Sequence, residues 1–251
     1  MGALELPSLD LLRSGELAIV GRLADATNAS FLCRVTPDAA EDADAWPDDE
    51  LGVGPFCVYK PTKGERPLSD FPLGTLARRE VAAYLFSEAT GWDIVPPTVL
   101  RDGPFGEGAV QAWVETDPDV DVVELVVGAD PRLRPMCVFD LLANNADRKG
   151  GHILPRADGS LMGVDHGICF AVEPKLRTIL WAWRGEELAA DEVEVVQRVA
   201  ADLDGPLGTA LDELLSRREV RATLRRAAAL IESGRFPEPD PTRPALPWPP
   251  F

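Results

Sequence analysis

Two short stretches hold the residues best suited to chemistry. The first is Asn144-Asn145-Ala146-Asp147-Arg148-Lys149-Gly150-Gly151-His152, and the second is Asp165-His166-Gly167. Together they contain both histidines of the chain, and they set a carboxylate, an imidazole and a second carboxylate at intervals of five and thirteen residues. Asp147 follows an apolar helical run and precedes a Gly-Gly dipeptide that frees the backbone to turn. A carboxylate so placed can take up a hydroxyl proton while the oxygen attacks phosphorus. Arg148 beside it, a candidate catalytic residue with Asp147 and Lys60, can neutralise phosphate oxygens or fix the loop. Asp165 ends a short apolar strand just before a glycine and suits magnesium, a cation that prefers hard oxygen donors and takes few of them from protein. His152 offers a softer second donor, and His166 is assigned to packing or loop support. Taken singly, each residue also fits a plainer role: a capped helix end, a surface pair, a core histidine.

A further pair lies upstream. Lys60 ends an apolar strand that Pro61 stops, and Glu80 follows twenty residues later within a helix. A Lys and a Glu on facing elements can pair and so hold an ammonium against a polyphosphate. Lys60 also fits a snorkelling surface lysine.

The elements needed to carry these residues can be read from hydrophobic periodicity and turn signals. Residues 15–23, 31–35 and 55–60 read as strands, with a turn at 27–30 and an acidic, proline-containing loop over 37–49. A helix is predicted over 75–89, ended by Gly91, followed by strands at 99–100 and 108–115. From about 131 the texture is helical: 136–143 is apolar at near-helical spacing, 161–164 is a short strand, and 186–203, 207–216 and 220–234 are amphipathic helices. The arm 236–251 has seven prolines in sixteen residues, which excludes a helix or a central strand, and Trp248 and Phe251 are its candidate anchors. These elements divide the chain into a β-rich lobe over 1–116, a helical lobe over 117–235 and the proline-rich arm, with a hinge near 113–118.

Composition narrows the function classes. Of the 251 residues, 25 are Lys or Arg and 42 are Asp or Glu, giving a net charge of −17. That charge repels polyanions such as nucleic acid and anionic membrane surfaces, so neither is expected as a partner, and without a long apolar run membrane insertion is not expected either. Cys33, Cys57, Cys137 and Cys169 form no C-x-x-C pair and sit among apolar neighbours, as buried free thiols do. No run of about 18 apolar residues is present and the first twelve residues lack a secretory pattern, so a cytoplasmic location is expected. The sequence has no G-x-x-x-x-G-K-[ST], which excludes a Walker-type nucleotidase.

The order of these motifs resembles the protein-kinase-like fold, and most of all its atypical branch, which groups phosphatidylinositol 3-/4-kinase-like domains with HipA-type kinases. Asn145-Ala146-Asp147-Arg148 matches the branch's N-x-D-R loop, Val58-Tyr59-Lys60-Pro61 its strand lysine, and Arg79-Glu80-Val81-Ala82 its partner-glutamate helix. Asp165-His166-Gly167 stands where protein kinases carry D-F-G. The resemblance spans roughly residues 15–190 and is strongest toward small actinobacterial members. It implies an α+β, bilobal fold with an antiparallel β-rich N-lobe and a mainly helical C-lobe. It also implies ATP with Mg2+ (Mn2+ possible) as cofactors. By that resemblance Lys60 contacts the nucleotide phosphates and Glu80 orients it. Asp147 is the catalytic acid/base, Asp165 and His152 hold metal, and the backbone of Trp113, Val114 and Glu115 receives adenine. Two departures stand out. No G-x-G-x-x-G covers the phosphates, so Asn28, Ala29 and Ser30 of the first turn are expected there instead, and His152 replaces the usual asparagine. The implied activity is γ-phosphate transfer to a hydroxyl, of protein Ser/Thr first and of a small molecule second. Inositol lipid fits the family name, but the chain has no polybasic patch. The alternatives are a nucleotide-binding pseudokinase acting as a regulatory interaction module, and a metal-dependent hydrolase built on Asp147, His152, Asp165 and His166.

Overall fold

The computed structural model describes residues 6–23, 28–37 and 55–251. A short helix α1 (Leu9–Ser14) leads into strands β1 (Glu16–Arg22), β2 (Phe31–Thr36) and β3 (Phe56–Pro61). Helix α2 (Leu76–Thr90) then precedes a hairpin of β4 (Thr98–Gly103) and β5 (Gly106–Ala112). All five strands form one antiparallel sheet in the order β1-β2-β3-β5-β4. Burial alternates along β2 and β3, as the period of two in a pleated strand requires. Cys33, Val35, Cys57 and Tyr59 point to one side, where they meet Leu12, Val99, Val110 and Ala112 in a small core. Val58 and Lys60 are left on the opposite face.

The second half is helical: α3 (Val122–Val127), α4 (Arg134–Ala143), a two-stranded ribbon of β6 (Ile153–Pro155) and β7 (Leu161–Gly163), then α5 (Ala190–Leu203), α6 (Pro206–Asp212) and α7 (Arg217–Ser233). Its larger core gathers Met136, Phe139 and Leu142 of α4 with Phe170, Leu180, Val196 and Leu211. Phe86 of α2 enters this core edge-on to Phe139 and Phe170, at 5.7 and 5.8 Å. So α2 lies between sheet and helices and is buried on nearly every face, Arg79 and Glu80 included. The fold is therefore α+β and bilobal, as expected.

Several boundaries differ from the sequence reading. The strand expected over 108–115 ends at Ala112, because Pro96 and Pro97 cannot donate to extend the ladder. Residues 186–188 are not helical: Leu188 N donates to Gly234 O, and Phe236 N to Glu186 O, so α5 starts only at Ala190. Ser216 is not the end of α6 but the N-cap of α7, in a reciprocal capping box with Glu219. Helices α1 and α3 escaped prediction, since six residues are too few to show a period. Thr27 and most of the acidic loop over 37–49 lie outside the described residues. Of the two candidate anchors of the arm, Phe251 packs on Gly150 while Trp248 is 88% exposed.

Candidate active site

Lys60, on the cleft-facing side of β3, is the hub of an ionic cluster. Its Nζ lies 2.5 Å from Glu80 Oε1 on α2 and 3.1 Å from Asp165 Oδ1. The second Glu80 oxygen accepts from the His166 amide at 3.1 Å. One buried carboxylate thus fastens both the strand lysine and the turn that presents Asp165. Burial opposes the Lys60 ammonium, but Glu80 and Asp165 outweigh it and hold its pKa above the ordinary lysine value. In return Lys60 holds the Asp165 carboxyl well below the usual carboxylate range. Asp165 has φ 62°, a left-handed conformation that costs a non-glycine residue about 1–2 kcal/mol. The turn is held on both sides of Asp165: Val164 N donates to His152 O, and His166 N to Glu80. Strain kept up by its surroundings in this way is common where a carboxylate must face a cleft.

The loop of Asp147 begins where Asn144 caps α4 in the left-handed conformation, φ 52°. Asn145 Oδ1 accepts from Asp147 N at 3.0 Å, and Asn145 Nδ2 donates to Asp140 Oδ1 at 2.9 Å. The Asp147 carboxylate, one-quarter exposed, pairs with Lys149 Nζ at 3.0 Å. His152 Nε2 lies 3.4 Å from Asp165 Oδ2, and its Nδ1 is buried with no partner among the described residues. Burial lowers the His152 pKa, which favours a neutral ring able to donate a lone pair.

Of the two roles open to Arg148, charge for phosphate or a fastening of the loop, its geometry fits only the second. It does not face the cleft but is fully buried, with Nη2 2.8 Å from Asp140 Oδ1 and 2.6 Å from His166 Nε2. Its Nη1 reaches the carbonyls of His152 and Val164. A Cβ at Gly163 would come within 2.9 Å of that nitrogen, so glycine is needed there. Arg148 therefore clips the Asp147 loop to the β7–Asp165 turn. His166 supports the same clip. An arginine can only donate, so His166 Nε2 accepts and the proton sits on Nδ1. The ring packs edge-on against Phe139 at 5.3 Å.

Two adjoining cavities meet at this cluster. The larger, about 720 Å3, is walled by Leu23, Val58, Leu154 and Val164 and bordered by Trp113, Val114 and Glu115. Among the described residues, the Val114 amide and the Glu115 carbonyl pair with no backbone group, which leaves them open to the edge of a flat heterocycle. The smaller, about 290 Å3, is lined by Asn28, Ala29, Glu80, Asp147 and Lys149. Ser30, Lys60, His152 and Asp165 belong to both. An apolar slot leading to cations and carboxylates suits a nucleotide, base inward and phosphates toward Lys60. Among the described residues no group of three His, Cys, Asp or Glu side chains is arranged to hold a metal ion. Asp165 and His152 are two donors, a number that suits a magnesium ion completed by phosphate oxygens and water.

The first turn fits its expected task only in part. Ala29 N is committed to Gly64 O, and Asn28 Oδ1 to Arg66 N, so Ser30 is the member shared by both cavities. Lys149 was missed in the sequence. Its signal was the i, i+2 spacing from Asp147, which brings two side chains of an extended loop to the same side.

Burial, with Arg148 alongside, pushes the His166 pKa well below 6.5. The folded chain then leaves this ring neutral where the unfolded chain protonates it. Stability is complete above pH ~6.5 and is lost as pH falls through that value. Urea midpoints should report about 1 kcal/mol lost between pH 7.5 and 5.5 through His166, and His166→Gln should reduce the slope to the share left by the buried His152. Equal slopes in the two proteins would refute it.

No family model matches the chain. Protein Rv2133c of Mycobacterium tuberculosis (strain ATCC 25618 / H37Rv) is 42% identical over 277 aligned positions, spanning 96% of this chain and 94% of that protein. Phosphatidylinositol 4-kinase gamma 4 of Arabidopsis thaliana is 27% identical over 161 positions, spanning 53% of this chain and 28% of that one. Among solved structures, the Helicobacter pylori proinflammatory kinase CtkA aligns over 89% of this chain and 94% of its own, at 10% identity and a TM-score of 0.46. No helix among the described residues is long and apolar enough to cross a membrane.

Proposed function

This chain belongs to the family of the mycobacterial protein Rv2133c, and we propose that it is an atypical kinase that moves the γ-phosphate of ATP to a hydroxyl, with protein Ser/Thr as acceptor. One observation carries the reading: Lys60, Glu80, Asp147, His152 and Asp165 converge on two joined cavities large enough for a nucleotide. The partial similarity to a phosphatidylinositol 4-kinase points the same way.

In this reading Lys60, held by Glu80, neutralises phosphate oxygens, and Val114 and Glu115 take the base by their backbone groups. Asp165 and His152 would hold Mg2+ or Mn2+, which when bound offsets phosphate charge. Asp147 accepts the acceptor's hydroxyl proton as the new P–O bond forms and the bond to the departing ADP breaks. Lys149, beside Asp147, stabilises charge on the transferring group. Most of the acceleration comes from positioning and preorganised charge.

The test is transfer from γ-labelled ATP with magnesium or manganese, using a lysate as acceptor pool and mass spectrometry to identify new phosphosites. Lys60→Met should reduce transfer by about 100-fold or more. Nucleotide binding without transfer in the wild-type protein would favour the pseudokinase, which would keep Lys60 and Asp165 for binding alone. ATP-independent hydrolysis lost in His166→Ala would favour the hydrolase.

A further inference from the structure

We propose that Pro250 and Phe251 are positioning residues for the loop that carries Asp147 and His152, so that the proline-rich arm sets turnover rather than nucleotide affinity. The inference rests on the phosphotransferase reading for its kinetic part only.

The loop contains Gly150 and Gly151, and adjacent glycines hold no conformation by themselves. Gly150 opens the 3₁₀ turn Gly150–His152, and its amide is one of the donors that such a turn leaves without an internal partner. The Pro250 carbonyl accepts that amide at 2.9 Å. The Phe251 ring lies directly on the Gly150 α-carbon, so that a Cβ there would collide with Phe251 Cδ1. The arm also grips the far side of the loop. Ala245 O accepts from Thr178 N at 3.1 Å and from Trp181 Nε1 at 3.0 Å. Thr178 is bridged in parallel to Arg148, with Arg148 N donating to Arg177 O and Ile179 N to Arg148 O. The arm therefore lands on both flanks of the Asp147 loop. Between its landings Leu246 and Trp248 stay 53% and 88% exposed, while Pro247 alone turns inward. None of the residues bordering the larger cavity comes from the arm, and of the braced loop only Gly151 and His152 reach its rim, the rest of the slot being held by other elements.

The experiment compares Phe251→Ala, Phe251→Leu and Gly150→Ala, alone and combined, in the full chain. Displacing a catalytic group by about 1 Å can cost up to ~100-fold. Phe251 is half exposed, so we expect Phe251→Ala to lower kcat by roughly tenfold with the Kd for ATP within about twofold, and Phe251→Leu to recover most of it. Gly150→Ala should lower kcat in the wild-type background and add little in the Phe251→Ala background, where the ring it strikes is gone. Unchanged kcat in Phe251→Ala, or equal losses of kcat and ATP affinity, would overturn the proposal. Amide hydrogen exchange separates its failure from that of the kinase reading. Exchange at Gly150 and His152 should speed up in Phe251→Ala while β3 stays protected, whether or not the protein transfers phosphate. No acceleration there would overturn the brace in either case.

Discussion

Asp147→Asn is expected to reduce phosphate transfer by about 100- to 10,000-fold while leaving ATP affinity nearly unchanged. The substitution keeps shape and removes only the ability to take up a proton. The loop should survive it, because Asn145 Oδ1 holds the backbone amide of residue 147 rather than its side chain. Lys149 loses an ionic partner but can still donate to the amide oxygen that replaces the carboxylate. In the proposed reading nucleotide affinity rests on Lys60, Asp165 and the larger cavity, whose lining does not include Asp147. Single-turnover assays with labelled ATP, beside equilibrium titration with a nucleotide analogue, separate the two quantities. Asp119→Asn, on an exposed loop, serves as the control and should behave as wild type. A variant that keeps more than a tenth of wild-type transfer would remove Asp147 from the role of base.

The second large effect concerns stability. Arg148→Met should cost about 3–5 kcal/mol, because it strands a buried carboxylate. Asp140 is fully buried and receives Arg148 Nε and Nη2 together with Asn145 Nδ2 and Thr178 Oγ1. Without the guanidinium the charge remains and its strongest donors are gone. Against a total of about 5–15 kcal/mol for a natural domain, that is a large fraction. Removing both charges should hurt less, since apolar groups of similar volume can replace a buried pair at small cost. Urea unfolding of Arg148→Met, Asp140→Leu and the double variant measures this, and the double variant should recover at least half of the loss. Arg132→Met, which breaks an exposed pair with Asp130, should cost under about 1 kcal/mol. A loss that small in Arg148→Met would mean that water reaches Asp140.

How much could be read in advance differs by element. Strands with alternating burial were legible within a residue or two, because a period of two over Cys57 and Tyr59 dictates which side Lys60 takes. Helix α2 was legible through Gly91, which ends it at φ 69°. The segment 186–188 misled, since its composition suits a helix and its pairing with 234–236 is not a local property. The first turn was assigned to phosphates by its amides and hydroxyls, yet the Ala29 amide is consumed by Gly64, a partner 35 positions away.

Residue types and their spacing were enough to single out Lys60, Glu80, Asp147, His152 and Asp165. Pro61 beside Lys60 and Gly151 beside His152 limit backbone shape locally, whereas Glu80 lies within α2 and is marked by its spacing from Lys60. Which way Arg148 points could not be learned that way. Its direction follows from Asp140 and His166, and from the missing side chain at Gly163, a meeting that exists once α4, the loop and β7 have packed. The same holds for Phe251, distant from Gly150 along the chain and resting on it in space. Local sterics act between neighbours in sequence, whereas burial and ion pairing act between neighbours in space, and the folded chain is what brings those partners together.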